Sequence, residues 1–400
     1  MIITAIETIL VDTFPNLCYV HIHTDAGLIG LGETFFGPEA VAAHLHATAA
    51  PMLLGQDPFR IERHWHNLYA GPARRSIGAE ARALSAVDLA LWDILGQAAG
   101  LPLYQLLGGA FRDRIRIYNT CAGYRHVANA ATPDQASHGT WGIGGPATGP
   151  YEDYEAQFAH PEELAASLLD QGITAVKLFP FDASQTDGHG IAEADLQRGV
   201  DVFARMRQAA GKKLDLLLDF GSGWDLPTAL RIARAVEEFT PFWFEDPLAV
   251  DDLDAWAAFR QNTPVPTAGS EHLGSRYAFK DLLDKRAVDV VLFDPSWVGG
   301  ISEGKKVAAL ADAHHLPFCP HECTGPVAMI AGIHLCISSP NALLQETVRA
   351  YWTGAYREIV TTLPRIEGGF AYPTEGPGLG TALQPEFISR FDARIRRSER

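Results

Sequence analysis

Asp219, Glu245 and Glu271 follow one another at intervals of 26 residues, and each lies at the end of an apolar run: LDLLLDF, FWFEDP and PVPTAGSE. If those runs are neighbouring strands of a parallel sheet, one strand–helix unit separates each acid from the next. All three then project into one mouth. A lone acid is ordinarily a helix cap or half of an ion pair. Three in step on adjacent strands point instead to a shared cation, because carboxylates facing one cavity cannot all ionise without a counter-charge. Hard oxygen ligands suit Mg2+, which keeps positions open for water or a substrate oxygen.

Other polar residues end apolar runs at the same level. Lys177 stands in AVKLFPFD, Asp294 in VDVVLFDP, His321 in FCPHEC and Glu346 in ALLQETV. A carboxylate on one imidazole nitrogen orients the ring and raises its basicity, so Asp294 and His321 read as a general base. A zinc reading of Cys319, His321 and Cys323 lacks a fourth ligand and matches no common zinc spacing. Lys177 would be costly to bury alone. It reads as a partner for an anionic substrate or as a second acid/base, and a snorkelling surface lysine is the plain alternative. Glu346 would hydrogen-bond a substrate oxygen if it retains its proton. Gly30-Leu31-Gly32-Glu33 lacks the third glycine and following helix of a dinucleotide site, and ARRSIG is too short for a phosphate patch.

The elements that must position these groups change character near residue 114. Before it, ITAIETILV and YVHIHTDAGLIGLGET read as strands and residues 39–53 and 58–70 as helices. ARALSAVDLALWDILGQAAG is a helix stopped by Gly100 and Pro102. From 114 onward eight strand candidates alternate with amphipathic helical stretches over about 250 residues, the rhythm of a (β/α)8 barrel. The division is an α+β domain over 1–113, completed by a turn-rich segment from about 365 to 400, and a barrel over 114–364. Residues 121–160, rich in Gly, Ala and Pro and carrying Trp141, Tyr151 and Tyr154, read as a long loop, either a lid or disordered.

The 400 residues suffice for two domains. A formal charge of −16 opposes non-specific nucleic-acid binding. No apolar run is long enough to span a bilayer. The N-terminus lacks a signal peptide's basic region and cleavage site, which predicts a cytoplasmic protein. Five cysteines in a chain of this size do not suggest a disulfide framework.

Together these motifs resemble the mandelate racemase subgroup of the enolase superfamily. The resemblance runs through DAGLIGLGET, ALSAVDLALWDILGQAAGLPLYQLLGG, LDFGSGW, FWFEDPL and TAGSEHL. It continues in VDVVLFDPSWVGGISEGKKVAALADAHHLPFCPHECTGP and the late PGLG. It implies an α+β domain capping a modified barrel, Mg2+ on Asp219, Glu245 and Glu271, and an Asp294–His321 base. It also implies Glu346 donating to a substrate carboxylate, specificity loops around Phe14 to Leu17 and 50–56, and a homo-oligomer. That chemistry of a Lys or His base with Mg2+ is the superfamily's own. One departure is informative. The subgroup's second strand commonly carries Lys-x-Lys; here Lys177 keeps the first lysine and Phe179 replaces the second. Racemisation needs groups on opposite faces, so a one-base reaction is favoured: dehydration of a sugar carboxylate to a 2-keto-3-deoxy acid. Lys177 would then steady the carboxylate or help the hydroxyl leave. Asp182 and His189, in the segment after Lys177, are further polar candidates. An epimerase or cycloisomerase on the same scaffold is the alternative. A metal-dependent hydrolase would show histidines on the first barrel strand, and RIRIYNT has none. A binding-only protein would have little use for an oriented base.

Overall fold

The computed structural model describes residues 1–69, 78–128, 142–145, 147–184 and 189–400. The chain opens with β1 (Ile3–Val11), β2 (Leu17–Thr24) and β3 (Ile29–Phe35), paired antiparallel in that order. The helix Ala79–Ala99 packs its Ala83, Ala86, Ala90 and Ile94 into one apolar cluster with Ile6, Val20 and Ile22 of the sheet. It ends at Gly100, whose left-handed φ of 67° suits a residue without a Cβ. The glycines of Gly30-Leu31-Gly32 answer to this helix. A Cβ on Gly30 or Gly32 would lie 2.0 Å or 1.9 Å from the carbonyl oxygens of Ala90 and Ala86. Close packing, not a phosphate, accounts for the motif.

Eight parallel strands follow: β4 (Ile115–Thr120), β5 (Ala175–Leu178), β6 (Asp215–Asp219), β7 (Trp243–Glu245), β8 (Thr267–Gly269), β9 (Val290–Phe293), β10 (Phe318–Pro320) and β11 (Gln345–Thr347). They pair in chain order from β4 to β10, and β11 pairs with β4. The remaining seam is closed by Phe318 N donating to Asn341 O (3.1 Å) and Leu343 N donating to Phe318 O (2.9 Å). The result is a closed TIM-type barrel, as the alternation predicted. The hairpin of β12 (Ile366–Glu367) and β13 (Phe370–Ala371) adds to β4. Finally β14 (Ala393–Glu399) returns to the first sheet and pairs with β1 from Ala5 to Val11.

Inside the barrel Tyr118, Ala175, Leu217, Trp243, Leu292, Cys319 and Leu344 form a sealed layer. Strand side chains alternate between faces, so the residue two places further along shares the inward face. Those residues are Thr120, Lys177, Asp219, Glu245, Asp294, His321 and Glu346. The barrel's own packing layer therefore aims the polar ring. Glu271 is three places beyond the inward-facing Ala268, and Gly269 (φ 156°) turns the chain between them.

The first domain is seated on the barrel by buried polar contacts. Glu33 accepts from Val327 N (3.2 Å) and Ala328 N (2.9 Å) at the start of the helix Pro326–Ser338. A carboxylate there meets unpaired donors and the positive end of the helix dipole. Ser302 N donates to Asp88 (2.9 Å), Thr34 Oγ1 to Ser296 O (2.9 Å) and Gly299 N to Ser85 (2.9 Å).

The long-loop reading of 121–160 needs correction. Among its described residues, Tyr124–Ala128 and Asp153–Ala159 are helices. The second is pinned by a buried ion pair in which both Asp153 oxygens accept from Arg349 at 2.6 Å. Loop composition hid that helix because its anchor lies in a distant part of the chain. Trp141 and most of ARRSIG lie outside the described residues. Among the described residues, no helix is long and apolar enough to cross a membrane.

Candidate active site

The strand ends converge on a cavity of about 260 Å³ whose wall includes Lys177, Asp219, Glu271 and His321. Asp219 and Glu245 are direct neighbours across β6 and β7. Lys177 is buried between carboxylates: its Nζ lies 3.2 Å from Asp219 Oδ2 and 2.8 Å from Glu346 Oε1, and it donates to Glu245 Oε1. The snorkelling alternative for this lysine does not hold. Burial pulls the ammonium down, but Glu245, Glu346 and Asp219 outweigh it and hold its pKa well above the ordinary lysine value.

His321 Nδ1 and Asp294 Oδ2 are 2.9 Å apart, and both residues are buried. Asp294 is fully occupied by further donors: Ser296 N (2.6 Å), Ser296 Oγ (2.7 Å) and Thr324 Oγ1 (3.1 Å). These contacts lock the carboxylate and, through it, the ring orientation. Trp297 packs against the imidazole, centroid to centroid 5.2 Å. Burial lowers the pKa of His321, but Glu346, the Asp294 hydrogen bond and Glu271 raise it to about 10 overall. Neutralising Glu271 removes part of that push and returns the imidazole towards the range of a base.

Glu346 is buried beside Lys177. It accepts from Thr120 Oγ1, Glu322 N (2.9 Å) and Lys177, and does not line the cavity. Burial raises its pKa, but Lys177 and His321 bring it below the usual carboxylate value. As placed it accepts from Lys177. The two candidates after Lys177 also separate. Asp182 lines the cavity, whereas the exposed His189 lies 3.1 Å from Asp225, the N-cap of the helix Leu226–Val236. Among the described residues, the first domain contributes Phe36, just beyond β3, to the cavity wall. Residues Phe14 to Leu17 and 50–56 do not line it. Phe14 is instead buried against Phe387, at 5.5 Å.

Sequence reasoning passed over Asp246 and His272, which sit beside Glu245 and Glu271 and also line the cavity. Asp246 accepts from Ser222 Oγ (2.9 Å), and one of its buried oxygens has no partner among the described residues. Adjacency to a candidate ligand was the available signal. His126 and Tyr154 form a second missed pair, with stacked rings 5.1 Å apart on the cavity wall. No spacing rule links those two positions. Cys323 lies near His321 and Glu346, but Cys319 belongs to the sealed barrel layer, so Cys319, His321 and Cys323 do not converge as the expected zinc set.

The residues fit a divalent cation. Asp219, Glu245 and Glu271 are buried, and Glu271 Oε2 is a buried oxygen with no hydrogen-bond partner among the described residues. Burial raises the pKa of both Asp219 and Glu245, and although Lys177 lowers it, repulsion from neighbouring acids keeps it raised. A single ammonium thus leaves negative charge uncompensated. Glu245 also accepts from Trp243 Nε1 at its Oε2 (2.8 Å), and Asp219 from Gly221 N at its Oδ1 (2.8 Å).

A closed barrel whose mouth gathers acids, one lysine and a carboxylate-bound histidine, beside an antiparallel α+β domain, defines an enzyme of the enolase type. Residues 4–108 match the N-terminal domain of the mandelate racemase / muconate lactonizing enzyme family, and residues 161–387 match the enolase C-terminal domain-like family. The chain belongs to the mandelate racemase subgroup of the enolase superfamily, and it is an enzyme. It is 31% identical over 396 residues to a D-galactonate dehydratase family member of Streptomyces bingchenggensis, covering 97% of this chain and 93% of that one. A D-mannonate dehydratase of a Sphingomonas species is 30% identical over 97% of this chain and 94% of its own. The crystal structure of an enolase of the mandelate racemase subgroup from Agrobacterium tumefaciens is similar, with a TM-score of 0.88. The two are 41% identical over 100% of this chain and 99% of that one.

Proposed function

We propose that this chain is a Mg2+-dependent acid-sugar dehydratase acting on a 2,3-dihydroxy carboxylate, an aldonate or aldarate. The observation that carries the reading is an oriented base, His321 on Asp294, sharing a cavity with Asp219, Glu271 and Lys177 while Phe179 occupies the usual second-base position. The dehydratase names of similar proteins support it. In this reading Asp219, Glu245 and Glu271 hold the metal, which when bound supplies Lewis-acid stabilisation of the negative charge developing at the substrate carboxylate. The same reading divides the chain into a capping unit of 1–113 completed by about 365–400, and a barrel of 114–364.

In this reading His321 donates its Nδ1 hydrogen to Asp294, and its Nε2, once deprotonated, takes the α-proton. The electrons of the broken C–H bond form the C2–C1 enolate. As they move to form the C2–C3 double bond, the C3–O bond breaks. The departing hydroxyl takes the proton held by His321 and leaves as water, and the resulting enol tautomerises to the 2-keto-3-deoxy acid. Lys177 remains charged throughout and steadies the carboxylate end. Further along the wall, Asp182, Ser222 and the His126–Tyr154 pair offer polar atoms to the remaining sugar hydroxyls.

The test is a sugar-acid library assayed for keto-acid release and for α-proton exchange in D2O, with wild type and His321→Asn. The wild type should release keto acid from at least one aldonate or aldarate, and His321→Asn should lose both signals. Full turnover by His321→Asn would remove His321 as the base. Inversion at the α-carbon without keto acid would overturn dehydration.

A further inference from the structure

Glu7, His21 and His23 form a separate cluster on β1 and β2, away from the barrel mouth. His21 and His23 are two places apart on β2 and so share a face, and Glu7 is the direct ladder partner of His21. Glu7 Oε2 lies 2.8 Å from His23 Nε2 and 3.8 Å from His21 Nδ1. One ligand atom from each of the three residues falls within 4.8 Å of the others. The side chains are 12–19% exposed, so solvent reaches them. Arg397 of β14 donates to the other oxygen of Glu7, which leaves Oε2 for the histidines.

We propose that Glu7, His21 and His23 form a second metal site, for a first-row transition ion such as Zn2+, with water as the remaining ligand. Tetrahedral ligands at about 2.0–2.1 Å from zinc stand about 3.3 Å apart, and the two measured separations to Glu7 bracket that value. Two imidazoles and one carboxylate favour Zn2+ over Mg2+, whereas the all-carboxylate set at the barrel mouth favours the reverse. Arg397 is a positioning residue that fixes the carboxylate. An ion bound here ties β1 to β2 and, through Arg397, to β14, the last strand of the chain. The competing account is an ordinary network in which Glu7 serves only Arg397 and His23. That network has no use for a metal.

The experiment is calorimetric titration of Zn2+ into enzyme held in excess Mg2+, with Co2+ absorption as an independent reading of tetrahedral coordination. One equivalent of Zn2+ should bind, and Co2+ should show the intense visible bands of a tetrahedral site. His23→Ala, His21→Asn and Glu7→Gln should each lose that equivalent while retaining the wild-type circular dichroism. Arg397→Ala should weaken it by about 10- to 100-fold, as loss of an orienting partner does. Asp219→Asn, at the barrel mouth, should keep it. The proposal is overturned if no equivalent binds, if it survives the histidine and Glu7 variants, or if it disappears with Asp219→Asn.

Discussion

Lys177→Met removes the ammonium that lies among Asp219, Glu245 and Glu346. At separations of 2.8 Å and 3.2 Å, and with an effective dielectric constant near 20, each attraction is about 5–6 kcal/mol before desolvation. Burying the charges takes back most of that. Deleting one partner of a buried cluster nonetheless costs about 3–5 kcal/mol, because the remaining charges are left uncompensated. In EDTA, Lys177→Met should therefore unfold at a lower urea midpoint with an unchanged m-value, by an amount equivalent to about 3–5 kcal/mol. With Asp219 and Glu245 as the proposed metal ligands, a saturating divalent ion would neutralise them itself, so Mg2+ should recover half or more of the loss. The folded pKa of Lys177 is raised, so its contribution is fully present below the unfolded lysine value and decays only in strongly alkaline solution. Urea titrations at pH 7.5, followed by circular dichroism with and without Mg2+, give the four midpoints. Equal midpoints in EDTA would show that Lys177 is not the buried counter-charge. An identical loss with and without Mg2+ would refute the sharing of carboxylates between lysine and metal.

Asp294→Asn keeps the shape but can offer His321 a donor in place of an acceptor, which favours the wrong tautomer. Turnover should fall by about 10³–10⁴ with little change in KM, by analogy with the same exchange in hydrolase triads; wild-type kinetics would remove the orienting role of Asp294. Asp88 tests the domain interface. Burial raises its pKa from 3.8 to about 7 against the opposing Ser302 hydrogen bonds, so between those values the folded state holds a proton that the unfolded state has lost. Stability then falls as pH rises from about 4 to 7, by at most roughly 4 kcal/mol for this group. Asp93 and Glu33, raised to about 7 and about 8, add slopes of the same sign. Asp88→Asn should flatten the urea midpoint between pH 5 and pH 8 without abolishing its slope, and an unchanged slope would refute the assignment.

The barrel was legible because its signal is local and repeated. Apolar runs of strand length recur with amphipathic stretches between them, and a polar residue marks each inward-facing end. The observed strands are shorter than those runs, down to three residues in β7, β8, β10 and β11. Much of each run is apolar for packing and not for ladder pairing. The helix Asp153–Ala159 was illegible because Arg349, its anchor, stands nearly two hundred residues away. Phe36, His126 and Tyr154 reach the cavity from segments whose own composition says nothing about direction.

By itself the sequence determined which groups could carry the chemistry. The 26-residue step of Asp219, Glu245 and Glu271, the Asp294 and His321 strand ends, and Phe179 in place of a lysine are all properties of order along the chain. Only the tertiary structure decided their electrostatic state. It enclosed Lys177 among three carboxylates, filled Asp294 with donors and placed Glu346 beside the lysine as an acceptor. The reason is physical: spacing sets which face of a strand a residue occupies, but its charge state depends on burial and on neighbours from other strands. Those neighbours are brought within 3 to 4 Å only when the barrel closes.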